Sequence, residues 1–187
     1  MSPDQLAAKG WQAQRHTLTT AQAYLWGLLV ALPFVLLAGG MYRAFLLRRA
    51  VLLDHTGLIP LAVLAVSLPL HEGLHGLGWR AAGRLGKGGV AFLFRRGLPL
   101  CACREVLPVK AYLAGVLLPF FVLGGGSFLF LLLCPGTVSV LAAMVNLILP
   151  GADLVIACQV LRSQAPLIAD SPDQAGFVGF VPASPES

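Results

Sequence analysis

The sequence predicts an all-α membrane protein: about four transmembrane helices, with a short interfacial β-hairpin-like loop between the second and third. Three observations carry this expectation. The chain of 187 residues is 57% hydrophobic and only 11% charged, against about 25% charged residues in a soluble domain. Four stretches, 23–46, 58–79, 112–134 and 137–161, reach the ~20 apolar residues that a helix needs to cross a bilayer. The polar segments between them are too short for a separate soluble domain. One membrane domain, 23–163, is therefore expected between an N-terminal segment, 1–22, and a tail, 164–187.

The N-terminal segment is polar and carries Lys9, Trp11, Arg15 and His16. The apolar run after it exceeds the core of a signal peptide, so it is expected to stay as an anchor. Residues 47–57, with Arg48, Arg49, Asp54 and His55, join the first span to the second. In the second span Pro69 lacks a backbone N–H and should kink the helix. Gly73, Gly76 and Gly78 offer a small-residue face to a neighbouring helix.

A basic loop, 80–111, follows. Within it Val90-Ala91-Phe92-Leu93-Phe94 reads as a strand, Arg95-Arg96-Gly97 as a turn and 98–104 as a second extended stretch. Bare polar backbone is not tolerated in lipid, so this hairpin is expected at the interface or lining a cavity. Pro135-Gly136 alone joins the third and fourth spans in a tight helical hairpin, and Pro150-Gly151 should bend the fourth. The tail from Gln164 is rich in Pro, Ser and Asp and is expected to end in a mobile segment.

Lysine and arginine bias sets the expected orientation. With the loop 80–111 in the cytoplasm, ten of the 13 basic residues lie on that side, all but Arg43, Arg48 and Arg49. Both termini are then cytoplasmic. The net charge of +5 does not imply a nucleic-acid partner, because the basic residues sit in loops rather than along one helix or sheet face. Cys101, Cys103, Cys134 and Cys158 lack C-x-x-C spacing, and reduced thiols are expected.

His71-Glu72-Gly73-Leu74-His75 is an H-E-x-x-H pentad inside the second apolar run. Two imidazoles four residues apart share one helix face, which suits two ligands of one tetrahedral zinc, with Glu72 placed to act as a base. Ionisable groups at membrane depth cost about 2.5–3.5 kcal/mol each, and a metal would compensate three of them. Asp153 is the acidic residue of the last two spans. His71 and His75 lie about four to eight residues before the inner end of their span, and Asp153 about eight before its own. At 1.5 Å per residue the three sit within roughly one turn in depth, which supports a His71, His75, Asp153 site. Asn146, nearly two turns before Asp153, is a polar group able to bind a substrate backbone. Phe92 and Phe94 on the loop strand, with Arg104, are candidates for substrate contact.

His71-Glu72-Gly73-Leu74-His75-Gly76-Leu77, Cys103-Arg104-Glu105-Val106-Leu107-Pro108-Val109-Lys110-Ala111-Tyr112-Leu113-Ala114-Gly115, Gly151-Ala152-Asp153-Leu154 and Asp170-Ser171-Pro172-Asp173-Gln174-Ala175-Gly176 resemble the putative zincin peptidase family of small bacterial membrane proteins. That family is similar in turn to site-2-protease-type intramembrane zinc metalloproteases. The resemblance implies zinc at His71 and His75, Asp153 as third ligand and Glu72 as catalytic base, in a multi-pass protein of the bacterial inner membrane. The implied reaction is hydrolysis of peptide bonds in membrane-associated protein or peptide substrates near the cytoplasmic face. A non-catalytic zinc-binding membrane adaptor or tolerance/immunity factor is the alternative; it needs the three ligands but not Glu72. A divalent-metal transporter ranks lower, since one compact site shows no alternating repeats. Substrate identity and oligomeric state are left open.

Overall fold

The computed structural model describes residues 3–48, 58–95, 98–171 and 173–183. In chain order these form α1 (Pro3–Ala7), β1 (Trp11–Leu18), α2 (Thr20–Arg48), α3 (Ile59–Gly83), β2 (Val90–Arg95), β3 (Leu98–Cys103), β4 (Leu107–Pro108), α4 (Val109–Pro119), a π-helical segment (Phe120–Gly125), α5 (Gly126–Leu133), α6 (Thr137–Ile148), α7 (Gly151–Ser163), β5 (Leu167–Asp170) and β6 (Ala175–Pro182). The expected Asp54 and His55 connection and the Arg96-Gly97 turn lie outside the described residues.

The chain is mostly helical, and among the described residues three helices have the length and apolarity to cross a membrane: Thr20–Phe45, Val109–Leu133 and Thr137–Ser163. The second expected span, 58–79, is a helix, Ile59–Gly83, but it is not one of these three. The polar pentad and Arg80 dilute its apolar run. It starts at Ile59 with Pro60 in its first turn, carries Pro69 inside, and ends where Arg84 turns left-handed (φ 53°) and returns its N–H to the Arg80 carbonyl.

The third apolar stretch is interrupted by the π-helical turn after Pro119. A proline cannot donate to the helical ladder, and a widened turn absorbs the defect. The fourth breaks between Ile148 and Gly151, around Leu149-Pro150. Gly136 N–H donates to Ser139 Oγ at 2.9 Å, closing the turn into α6.

The all-α expectation needs correcting. A four-stranded antiparallel sheet of order β1-β6-β5-β4 and a separate β2–β3 hairpin accompany the helices. The N-terminal segment supplies β1 and the tail supplies β5 and β6, so the two ends of the chain pair with each other from Trp11↔Pro182 to Leu18↔Ala175. The physical reason is visible in Phe177, Val178, Phe180 and Val181: bulky residues suited to a half-buried pleated surface. The surrounding Pro, Ser and Asp masked that signal. Phe177 is fully buried, and His16 stacks on it at 4.8 Å.

One buried cluster joins α3, β3, α4, α7 and the sheet through Trp79, Cys101, Tyr112, Val116, Ala157 and Phe177. A second joins α2, α5 and α6 through Ala38, Tyr42, Leu131, Val140, Ala143 and Leu147. Outward faces carry Leu25, Leu29, Leu36, Phe121, Leu129 and Leu161, all exposed. A lipid-facing surface accounts for them.

Candidate metal centre

Two helices carry the converging side chains, and two more position them. His71 and His75 project one turn apart from α3, and both are buried. Asp153 sits in the first turn of α7. Helix α3 reaches α4 through a glycine crossing: a Cβ on Gly78 would lie 2.7 Å from Gly115 Cα. Helix α2 reaches the start of α7 in the same way, since a Cβ on Gly27 would lie 2.8 Å from the Ala152 N atom. Both crossings lie beside site residues, so small side chains in the sequence translate directly into the position of the ligands.

The ligand atoms converge. His71 Nε2 lies 3.1 Å from His75 Nε2 and 3.1 Å from Asp153 Oδ2, which is 3.5 Å from His75 Nε2. A tetrahedral zinc with metal–ligand bonds of about 2.0–2.1 Å has ligand–ligand edges of roughly 3.3–3.4 Å. The observed separations bracket that value. His75 Nδ1 lies 3.0 Å from the Gly115 carbonyl oxygen. Since a carbonyl only accepts, the ring proton belongs on Nδ1, and the Nε2 lone pair faces the cluster. Asp153 Oδ2 is buried without a hydrogen-bond partner among the described residues. Three potential ligand atoms brought this close together fit a cation between them, and the donor set of two imidazoles and one carboxylate suits zinc.

Behind the histidines lies an ordered aromatic stack. The Trp79 ring is parallel to that of His75 (5.4 Å, 19°) and to that of Tyr112 (5.9 Å, 25°). The indole N–H donates to the Tyr112 carbonyl at 3.0 Å. Trp79 therefore props the His75 ring from below while α4 supplies its hydrogen-bond acceptor.

Glu72 follows His71 directly, and its Oε2 accepts the Cys101 backbone N–H at 2.6 Å. Cys101 lies on β3, so the expected loop hairpin is packed against the pentad. The Arg104 N–H bonds the Gly89 carbonyl just beyond the Val90↔Cys103 pair. In an antiparallel ladder bonded and non-bonded pairs alternate. The amides of Cys101 and Cys103 therefore point away from β2, and those of Phe92 and Phe94 point away from β3. Cys103 N–H donates to Asp170 Oδ2 at 3.0 Å.

The other candidates lie around this core. Phe92 and Phe94 are exposed, and the Phe92 ring covers Gly76, whose Cβ would meet it at 3.0 Å. Arg104 is exposed and lines a cavity of about 250 Å³ with Ala91, Leu93, Ala102 and Asp170. Asn146 is buried on α6, and its Oδ1 atom has no hydrogen-bond partner among the described residues. Sequence reasoning overlooked Gly115, Trp79 and Tyr112 as supports and Asp170 as a partner of β3. The Gly115 role had a signal, a glycine in a span that must meet the glycine face of α3; the Asp170 signal was its place at the head of the tail segment 170–176 that resembles the family.

Outside the spans, burial pushes the Asp170 carboxyl up to about 6, against the pull of the Cys103 amide and the Tyr112 hydroxyl. Burial likewise pushes the Cys101 thiol up to about 12 and the Cys103 thiol up to about 11.

No curated protein and no solved structure matches this chain. A family model described as Putative zincin peptidase matches residues 64–167. That interval contains the pentad, the hairpin and Asp153, and it spans over half of the chain. The chain belongs to the putative zincin peptidase family.

Proposed function

We propose that this chain is a membrane-embedded zinc metallopeptidase of H-E-x-x-H type, allied to the site-2-protease class. It cleaves peptide bonds of membrane-associated proteins near the cytoplasmic face of the bacterial inner membrane, with both termini in the cytoplasm. The single observation that carries the reading is the convergence of His71, His75 and Asp153 ligand atoms to 3.1–3.5 Å, with Glu72 next in the chain. Zinc held there supplies a Lewis acid that polarises the scissile carbonyl and acidifies water.

The chain's own residues do the rest. Gly115 holds the His75 tautomer. Glu72 takes the proton of the attacking water and passes it to the leaving amine. The Cys101 amide occupies one Glu72 oxygen and leaves the other for that proton. A helical substrate must unwind first, because its carbonyls are otherwise engaged, and the hairpin offers a strand edge to pair with the extended segment. The outward amides of β3 are taken by Glu72 and Asp170, whereas among the described residues β2 pairs with β3 alone. We assign the β2 edge, with Phe92 and Phe94, to the substrate backbone, and Arg104 and Asn146 to further contacts.

A second reading, a non-catalytic zinc-binding adaptor or tolerance factor, is favoured by one observation: Glu72 already has a structural partner in the Cys101 amide. Glu72→Gln separates the two. The full chain, purified in detergent, is assayed for zinc and for cleavage of a panel of co-reconstituted single-span reporter proteins. Retained zinc with cleavage lowered ~10²–10⁴-fold, the usual contribution of a general base, supports the peptidase. Cleavage at the wild-type rate removes Glu72 from catalysis. Asp153→Ala should abolish stoichiometric zinc in the same preparation.

A further inference from the structure

The outward edge of β3 is gripped by two carboxylates from different parts of the chain. Glu72 of α3 takes the Cys101 amide at 2.6 Å, and Asp170, at the end of β5, takes the Cys103 amide at 3.0 Å. Alternate residues of one strand present amides to the same side, so both grips act on one edge. Asp170 is not a passive acceptor. Its second oxygen receives the Tyr112 hydroxyl at 3.1 Å, and Tyr112 is fully buried beneath Trp79, the residue that props His75. Asp170 thus bolts β3 to the helix pair that carries the metal-ligating histidines.

We propose that Asp170 is a positioning residue for Glu72: it pins the outward edge of β3, and that edge, through the Cys101 amide, holds the Glu72 carboxylate in register beside His71, His75 and Asp153. Its catalytic consequence rests on the peptidase reading; its structural content does not.

The geometry makes the coupling strong. A strand that is paired on one side only, as β3 is with β2 among the described residues, is located laterally by whatever bonds its other edge. The described residues supply two such bonds, two residues apart, and removal of one leaves the other as a pivot. Without Asp170 the Cys103 amide and the Tyr112 hydroxyl would both be buried without their acceptor, and the hairpin would relieve this by lifting toward the 250 Å³ cavity that Asp170 and Cys103 line. The lift carries Cys101 away from Glu72. The general base then samples several rotamers instead of one.

Hydrogen exchange of the β3 amides tests this on the full chain in detergent micelles, with Asp170→Ala and Asp170→Asn beside the wild type. Asp170→Ala is expected to speed exchange at Cys103 and also at Cys101 about tenfold or more, the loss expected for one charge-assisted hydrogen bond, while zinc content and helix content stay unchanged. Asp170→Asn keeps one acceptor oxygen and is expected to fall between. Faster exchange at Cys103 with unchanged protection at Cys101 overturns the proposal, and so does no change at either. Where Asp170→Ala fails to fold, Asp170→Asn is read by the same criteria. On a cleaved reporter the variants should lower kcat at unchanged KM, and a raised KM with wild-type kcat counts against the proposal. If no preparation cleaves any reporter, the peptidase reading fails while the exchange result still decides the role of Asp170.

Discussion

The Nδ1 atom of His75 and the carbonyl oxygen of Gly115 stand 3.0 Å apart, beside the glycine crossing of α3 and α4. This bond sets which imidazole nitrogen faces Asp153, and it depends on a residue without a side chain. A Cβ at Gly115 would run into the Trp79 indole, which is itself tied to the Tyr112 carbonyl. The helix pair therefore has little room to adjust.

Gly115→Ala is accordingly expected to destabilise the protein by roughly 1–3 kcal/mol, the usual cost of overpacking. It should also weaken zinc binding by ~10–100-fold, as loss of an outer hydrogen bond to a ligating histidine does. Thermal unfolding and competitive zinc titration read the two effects separately. Wild-type zinc affinity in a destabilised protein would show that Gly115 serves packing alone.

Gly27 is expected to control the position of Asp153 without touching it. Its Cβ would lie 2.8 Å from the Ala152 nitrogen, one residue before Asp153, whereas a Cβ at Gly40 on the same helix meets nothing within 4 Å. Gly27→Ala should push α2 off α7 and reduce bound zinc below one equivalent. Gly40→Ala should retain full zinc and alter stability by no more than about 1 kcal/mol. Equal metal content in both would refute the control of Asp153 by this crossing.

Asp170 gives a pH signature of definite sign. Its carboxyl is raised by burial from 3.8 to about 6, so between these values the folded chain binds more protons than the unfolded one. Stability is then fully present below about 4 and declines as pH rises through about 6, by roughly 3 kcal/mol for the full shift. The difference between wild type and Asp170→Asn isolates this slope from other groups. Denaturation of both proteins at pH 4 to 7 should show the gap changing in that window, and parallel curves would contradict it.

Cys101 and Cys103 should resist alkylation in the folded protein. Both thiols are buried, and burial raises them to about 12 and about 11, so the reactive thiolate is scarce at pH 8. Maleimide labelling followed by peptide mass analysis is expected to modify them only after denaturation. Rapid native labelling at Cys101 would mean that β3 does not stay on α3.

Much of the geometry of the candidate site was legible from spacing. H-E-x-x-H puts two imidazoles on one helix face whatever surrounds them, because four residues make about one turn. Asp153 could be matched in depth because residues in apolar helices translate into height. The Val90–Arg95 and Leu98–Cys103 strands follow the expected loop hairpin closely, since short apolar runs on either side of a Gly-containing turn are local signals. The sheet at the chain ends was not legible. Pairing of β1 with β6 joins residues at opposite ends of the sequence, and no local pattern names a distant partner.

Residue types and intervals along the chain thus dictated the paired imidazoles of one helix face, the apolar helices and the hairpin, all of which follow from patterns within a short window. Folding in three dimensions settled the tautomer of His75, the grip of Asp170 and Glu72 on one strand edge, and the closure of the two termini into a sheet. Those features depend on contacts between distant segments, whose distance and direction are set by glycine crossings and buried hydrogen bonds rather than by any neighbour in sequence.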